Sequence, residues 1–205
     1  MAKPAYPLEL PEREDTRSWP AQGEWTYEDY CLLPEDGRRY EVVRGHLYVS
    51  PAPKIIHQRA ARRLFRKLDD FVLAHGCGEV LFAPVDVLLP QEIASPIQPD
   101  IVFFRTGNQP DADAGNFQGV PDLVVEILSP GTWRLDLNVK LPAYRDAGVP
   151  EVWFANPQQR TIVVYGLSEG GKSCVEISRG GDGDAVESRV LPGLRITVSE
   201  LFSQE

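Results

Sequence analysis

Cysteine is scarce in this chain, and its few cysteines lie far apart. There are three, Cys31, Cys77 and Cys174. An odd number at wide spacing argues against a disulfide framework, and the lack of a Cys-x-x-Cys motif argues against a zinc site built from thiolates. We therefore expect buried or half-buried free thiols at these positions.

Long apolar segments are also missing. No run approaches the roughly 20 residues that a helix needs to span a bilayer. The first residues, Met-Ala-Lys-Pro-Ala-Tyr-Pro, contain no apolar stretch of the kind found in secretory signals. These two absences predict a protein without a membrane segment, and the cytoplasm is the expected compartment.

The chain otherwise has the composition of an ordinary globular protein. Its 205 residues are 42% hydrophobic and 25% charged, which suits one domain with a sizeable core. Residues 1–23 are rich in proline and charge and show little periodicity, so a flexible N-terminal arm is expected there. The single domain is expected to cover residues 24–205.

Positive charge is in deficit. The formal net charge is −9, whereas proteins that hold duplex DNA through its phosphates usually present a basic face. Residues 54–67 are locally basic, and this strip is either a phosphate contact or the solvated face of a helix. A homo-oligomer, and specifically a homodimer, is expected, and it would help DNA binding by bringing two such strips together.

Hydrophobic periodicity and turn residues divide the chain into helices and strands. Thr26 is expected to cap a short helix, Arg44-Gly45 to form a tight hairpin, and Gly76 to end a long helix over Lys54–His75. The other predicted elements are strands over Glu79–Leu89, Ile97–Arg105, Asp122–Leu128, Glu151–Ala155, Thr161–Tyr165 and Cys174–Ser178, a weak strand near Arg189, a loop over Thr106–Gly119, and a helix over Trp133–Ala147 that Pro142 should kink or shorten. This order predicts an α/β or α+β protein with a mixed sheet flanked by helices.

Two acidic residues stand in apolar, β-branched runs. Asp100 precedes Ile-Val-Phe-Phe, and Glu126 lies within Leu-Val-Val-Glu-Ile-Leu. A carboxylate buried in such a strand is costly unless it is paired or bound. Asp100 alone could cap a turn, and Glu126 alone could be a structural ion-pair partner. On adjacent strands, however, the two would offer the oxygen ligands that Mg²⁺ or Mn²⁺ prefers.

Lys140 lies on the predicted helix that follows the Glu126 strand. A lysine beside a metal-bound phosphate would orient the attacking water or stabilise the transition state of phosphodiester hydrolysis. Asp136 lies four residues earlier, so an exposed ion pair on the helix surface would account for both residues equally well.

These residues belong to a longer pattern. Its segments are Tyr40-Glu41-x-x-x-Gly45, His57, Gln98-Pro99-Asp100, Gly119-Val-Pro121-Asp122-Leu-Val-Val-Glu126-Ile-Leu-Ser129-Pro130, Asp136-x-x-x-Lys140-x-x-x-Tyr144 and Gly148-Val149-Pro150-Glu151-Val-Trp153. From about residue 26 to residue 167 the chain resembles the Uma-two family of the PD-(D/E)XK nuclease superfamily. The resemblance implies a restriction-endonuclease-like core, with a central mixed β-sheet flanked by helices and extra β-hairpins. It also implies a divalent-metal-dependent endonuclease acting on DNA.

The resemblance assigns roles to particular residues. Asp100 and Glu126 would bind the Mg²⁺ or Mn²⁺ ion, with the backbone carbonyl of Ile127 as a further ligand. Glu41 and His57 would lie near the site. Both of these residues could instead be purely structural, since Glu41 would suit an exposed cross-strand position and His57 the cap of its helix.

One departure from the superfamily affects the catalytic lysine. The usual lysine position is occupied by Leu128, so Lys140 on the neighbouring helix is the candidate for that role. Two functions therefore remain open: a nuclease that uses Lys140, and a non-catalytic accessory or binding protein that retains the fold and the metal site. A hydrolase acting on another phosphate ester is permitted by the same chemistry.

Overall fold

The structure, a computed structural model, describes residues 18–202. Short helices and thirteen strands alternate around one long helix within this range. In chain order the elements are α1 (Tyr27–Tyr30), β1 (Arg39–Val43), β2 (His46–Ser50), α2 (Ile55–His75), β3 (Gly78–Phe82), β4 (Val87–Leu89), β5 (Ala94–Ile97), β6 (Ile101–Arg105), β7 (Phe117–Gln118), β8 (Leu123–Ile127), α3 (Trp133–Leu135), a π-helical turn (Asp136–Lys140), α4 (Leu141–Ala147), β9 (Glu151–Asn156), β10 (Thr161–Leu167), β11 (Cys174–Gly180), β12 (Ala185–Glu187), β13 (Arg195–Thr197) and α5 (Val198–Phe202).

A six-stranded sheet forms the centre of the molecule, in the order β11-β10-β9-β8-β6-β3. Strands β8 and β9 are parallel, and the other neighbours in this sheet are antiparallel. A parallel pair needs a crossover connection, and here α3, the π-helical turn and α4 supply it. The sheet is therefore mixed, as predicted.

The two faces of this sheet are covered by different layers. Side chains alternate along a strand, so Val125 packs with Leu64 and Leu68 of α2, whereas Val124 packs on the other side with Tyr144 of α4. A second sheet, in the order β2-β1-β5-β4-β7, contributes to the α4 side. This is the restriction-endonuclease-like arrangement of a mixed sheet flanked by helices, with extra hairpins.

Local turn chemistry explains several confirmed elements. Thr26 and Asp29 form a capping box at the start of α1. Gly76 ends α2 in the left-handed conformation. Gly45, with φ of 69°, closes the hairpin of β1 and β2, and a Cβ at this position would lie 2.4 Å from the carbonyl oxygen of Gly23. Glycine is required there on both grounds.

Two predicted strands were too long. The predicted strand Glu79–Leu89 is divided into β3 and β4, which lie in different sheets, and the predicted strand Ile97–Arg105 is divided at Gln98-Pro99 between β5 and β6. Each break contains a proline, which cannot donate to a sheet ladder. The hydrophobic pattern continues across both breaks, so the sequence does not indicate where one strand ends and the next begins.

The C-terminal half contains two smaller corrections. The predicted loop Thr106–Gly119 contains β7, which pairs in parallel with β4. The weak strand expected near Arg189 does not form, and β12 instead pairs with β13. The N–H of Arg189 donates to the Glu151 carboxylate, 2.7 Å away, so this backbone group is satisfied without a strand partner.

The predicted helix over Trp133–Ala147 is interrupted by a π-helical turn before Pro142, rather than kinked or shortened at Pro142. Residues Asp136–Lys140 form a π-helical turn, and Pro142 then stands in the first turn of α4, where its missing N–H needs no acceptor. Single π-helical turns insert an extra residue into a helix and shift its later side chains around the axis. Asp136 and Lys140, the first and last residues of this turn, are both buried.

The N-terminal end is described only in part. The flexible arm expected over residues 1–23 lies mostly outside the described residues. From residue 18 onward, Trp19 stacks on Trp25 with ring centroids 5.5 Å apart, and the Leu47 N–H donates to Oε1 of Gln22. No helix in residues 18–202 is long and apolar enough to cross a membrane.

Candidate active site

Asp100 and Glu126 are brought together by strand pairing. Ile101 of β6 lies opposite Val125 of β8, and the N–H of Asp100 donates to the Val125 carbonyl at 3.1 Å. This register sets Asp100 next to Glu126, and opposite residues of antiparallel strands point to the same face. The Ile127 N–H also donates to Oδ2 of Asp100 at 2.7 Å, so the Asp100 side chain does not act as a turn cap.

Lys140 reaches Glu126 from the helical crossover. Its Nζ lies 3.1 Å from Oε1 and 3.2 Å from Oε2 of Glu126. The hydroxyl of Tyr144, one turn later, donates to the same Oε1 at 2.6 Å. Lys140 is only 3% exposed and Glu126 only 2%, so this contact is made away from bulk water.

Two further carboxylates complete the surroundings of Lys140. Its Nζ is 2.8 Å from Oε1 of Glu41 and 3.7 Å from Oδ1 of Asp136. Both acids are buried, so the exposed cross-strand position for Glu41 and the exposed Asp136–Lys140 pair are both wrong. Sequence spacing alone cannot reveal this burial, because β1 and the π-helical turn meet only in the folded chain.

Asp100 is held by the guanidinium group of Arg39 and the imidazole ring of His57. Arg39 Nη1 donates to Oδ1 of Asp100 at 2.8 Å, and Nε2 of His57 lies 3.2 Å from Oδ2. His57 does not cap its helix, since α2 has no side-chain cap. Its Nδ1 is buried and has no hydrogen-bond partner within the described residues.

The acids of this site outnumber its permanent cations. The carboxylate cluster consists of Glu41, Asp100, Glu126 and Asp136, and it faces the two cations Arg39 and Lys140. With every carboxyl ionised and His57 neutral, the group carries two excess negative charges. Burying an uncompensated charge is expensive, so this excess would be relieved by a bound cation.

The pKa values of the buried carboxyl groups reflect this excess of negative charge. Burial raises the pKa of Glu126 to about 8, Lys140 opposes the rise, and the charges of Asp136 and Asp100 reinforce it. Burial also raises the pKa of Asp136 to about 6. Burial would raise the pKa of Asp100 as well, but the hydrogen bond from His57 and the charge of Arg39 hold it below its usual range.

The donor set suits a hard divalent cation that keeps part of its water shell. Among residues 18–202, no three histidine, cysteine, aspartate or glutamate side chains form a ready-made ligand set. Mg²⁺ does not require one, because it is usually bound through one or two carboxylates plus water and substrate phosphate. Asp100 and Glu126 fit this requirement in chemistry and in charge.

A pocket of about 260 Å³ gives access to these groups. It lies between the loop before α2 and the loop that follows β8. Its ionisable lining residues are Arg39, Lys54, His57, Asp100, Glu126, Asp136 and Lys140. The buried cluster is therefore the floor of a cavity and not a sealed ion-pair network.

The sequence did not predict that Gln98 holds Glu41 and Arg39 in place. The N–H of Gln98 donates to Oε1 of Glu41 at 2.8 Å, and its side-chain amide donates to Asp86 at 2.6 Å. Arg39 donates to the Gln98 carbonyl. The place of Arg39 in the site could have been predicted from the sequence. Arg39 lies two residues before Glu41 on β1, so the two side chains point to the same face of the strand. Gln98 belongs to the Gln98-Pro99-Asp100 motif but had no expected role.

A mixed sheet covered by helices on both faces, with one acid just before β6, another in the adjacent strand β8 and a lysine beside the second acid, has the arrangement of a restriction-endonuclease-like core. Residues 27–199 match the Uma2 family, which is described as "Putative restriction endonuclease", and the chain belongs to this family. Membership supports a nuclease-like function.

A solved structure shares the fold. It is a "putative nuclease belonging to DUF820" from Anabaena variabilis, with 18% sequence identity and a TM-score of 0.73. The match covers 87% of this chain and 97% of that one. At this identity the likeness shows the fold alone. No curated protein matches the chain.

Proposed function

We propose that this protein is a divalent-metal-dependent nuclease that hydrolyses phosphodiester bonds in DNA. The observation that carries the proposal is the position of Lys140. Its ammonium lies 3.1 Å from Glu126 at the floor of a pocket, although Leu128 occupies the usual lysine position. The chain therefore has a cation beside its second acid, supplied by the crossover helix.

Asp100 and Glu126, with the backbone carbonyl of Ile127, would hold the metal ion, and Mg²⁺ or Mn²⁺ suits these oxygen ligands. Such an ion lowers the pKa of a water molecule and neutralises charge on the phosphate. The raised pKa of Glu126 means that a cation competes with a proton for this carboxyl group.

The remaining residues would stabilise charge on the phosphate or fix the orientation of the two metal-binding carboxylates. Lys140 would stabilise the negative charge that develops on the phosphate during attack, and Tyr144 fixes Glu126 through its hydroxyl. Arg39 and the Ile127 N–H hold Asp100 in one orientation. Fixed orientation matters because preorganised charges need no rearrangement as the reaction proceeds.

A non-catalytic accessory protein is the second candidate. Two observations favour it: the formal net charge of −9, which weakens attraction to DNA, and the full occupation of both Glu126 oxygens by Lys140 and Tyr144. Under this alternative the cluster would bind metal without cleaving DNA. A homodimer remains part of the nuclease proposal, since two basic strips would offset the acidic charge.

The two candidates are separated by a cleavage assay. Supercoiled and single-stranded DNA are incubated with wild type and with Glu126→Gln, in Mg²⁺, Mn²⁺ or EDTA. We expect cleavage that requires metal and that falls by about 10²–10³-fold or more in the variant, because a metal ligand is lost. Glu126→Gln should remain folded, since an amide carries no charge to bury.

The matched control is Glu176→Gln, which changes an exposed glutamate paired with Arg179 on β11. It should cleave at the wild-type rate. Cleavage that survives Glu126→Gln at the wild-type rate would contradict the site assignment. Absence of cleavage under every condition would favour the accessory protein.

A further inference from the structure

A second and larger cavity adjoins the active-site pocket. It is a groove of about 740 Å³ along the first half of α2, and both cavities are lined by Pro53, His57 and Asp100. Beyond that junction its walls are formed by Ile55, Gln58, Arg59, Arg62, Phe65 and Phe82. The groove thus leads directly away from the proposed reaction centre.

Two of the arginines that line this groove are not neutralised within residues 18–202. Arg59 and Arg62 are exposed, and within residues 18–202 neither lies within 4.0 Å of a carboxylate. Arg66 and Lys67, on the same helix but outside the groove, pair with Asp70 and Glu200. Free guanidinium groups in a strongly acidic protein are suited to bind phosphate, which they contact through planar, paired donors.

The groove also carries an exposed aromatic ring. Phe82 ends the edge strand β3 and is 62% exposed. Phe65 supports it from α2, edge to face, with ring centroids 4.9 Å apart. An aromatic face held in this way beside arginine side chains is the combination that binds single strands, where bases stack on rings and phosphates meet cations.

We infer that this groove binds a single-stranded segment of the DNA substrate next to the bond that is cleaved, with a base on Phe82 and phosphates on Arg59 and Arg62. The inference rests on the proposed nuclease function and names the form of its substrate. A duplex hides its base faces by stacking, so it would leave Phe82 unused. Two free arginines also give a duplex little attraction against a net charge of −9.

Binding is measured by fluorescence anisotropy of a labelled single-stranded oligonucleotide in EDTA, so that no cleavage occurs. Phe82→Ala should weaken binding about tenfold, and Phe82→Trp should retain it, because stacking contributes on this scale. The double change Arg59→Ala with Arg62→Ala should reduce the slope of log K against log salt by about 1.4. Duplex DNA should bind more weakly and should not respond to Phe82→Ala.

The matched controls lie on α2 outside the groove. Arg66→Ala removes one positive charge from the same helix, and Leu73→Ala truncates a side chain that is 70% exposed. Both should bind the strand as wild type does. Equal affinity for all variants, with cleavage intact, would overturn the groove assignment and leave the nuclease function standing.

Two further outcomes are equally decisive. Strand binding that follows the expected variant pattern, in a protein that cleaves nothing, would support the groove and contradict the nuclease. Self-association that Phe82→Ala abolishes, without any change in strand affinity, would make the groove a contact between copies of the chain and overturn the inference.

Discussion

Lys140→Met is expected to abolish detectable cleavage and to lower the free energy of unfolding by about 3–5 kcal/mol at neutral pH. Lys140 is the only cation within 4.0 Å of Glu126 among the described residues, and it also contacts Glu41 and Asp136. Its removal leaves three buried carboxyl groups without a cation within 4.0 Å among the described residues. Urea unfolding measures the stability, and the cleavage assay, run where circular dichroism shows a folded variant, measures the activity.

The loss of stability should depend on pH in a definite direction. The pKa values of Glu126 and Asp136 are raised to about 8 and about 6, so these groups are protonated more readily in the folded than in the unfolded chain. Their protonated forms therefore favour folding at low pH, and this contribution fades as the pH rises through 6 and then 8. The destabilisation by Lys140→Met should accordingly be smaller at pH 5 than at pH 8.

The control for this change is Lys67→Met. Lys67 pairs with Glu200 at the surface, and such pairs contribute about 0–1 kcal/mol. A Lys140→Met protein that cleaves at the wild-type rate would contradict the catalytic assignment. A stability equal to that of Lys67→Met would contradict the account of a buried, unbalanced cluster.

Glu151→Ala is expected to lower the free energy of unfolding by about 3 kcal/mol or more, with no direct effect on the active site. The buried Glu151 carboxylate accepts hydrogen bonds from Trp153 Nε1 and the Ser188 hydroxyl, both at 2.6 Å, and from the N–H groups of Arg189 and Val190. Each donor left buried without an acceptor costs about 1–3 kcal/mol. Chemical denaturation measures the loss.

Glu187→Ala is the control, because Glu187 is exposed on the neighbouring strand β12. Its stability should stay within about 0.5 kcal/mol of wild type. Where Glu151→Ala remains folded, its cleavage rate should match wild type, since Glu151 begins β9 opposite Leu123, three residues before Phe154, which pairs with Glu126. A loss below 1 kcal/mol would mean that segment 188–191 is held mainly by its apolar contacts.

The sequence predicted the two acids for a clear physical reason. Asp100 and Glu126 interrupt apolar runs, and a charge in such a run demands a partner. The hairpin at Gly45 and the end of α2 at Gly76 were predictable on similar local grounds, because each needs a residue that tolerates positive φ. Features that depend on only a few neighbouring residues can therefore be predicted from the sequence.

The rest of the site depends on contacts between distant segments. Glu41 and Asp136 resemble surface residues in sequence, and they are buried only because β1 and the π-helical turn close over Lys140. No local pattern marks that turn, since it differs from an α-helix by one inserted residue. Arg39 and Tyr144 were likewise given no role, because their partners lie 61 and 18 residues away along the chain.

The central claim is that the carboxylate cluster holds a divalent cation between Asp100 and Glu126. The most direct test is anomalous diffraction at the manganese edge from crystals soaked in Mn²⁺. We predict one strong peak with oxygen atoms of both residues at about 2.0–2.6 Å, the range for hard divalent cations. A peak elsewhere, or none at saturating Mn²⁺ with Lys140 still bridging Glu126 and Glu41, would contradict the claim.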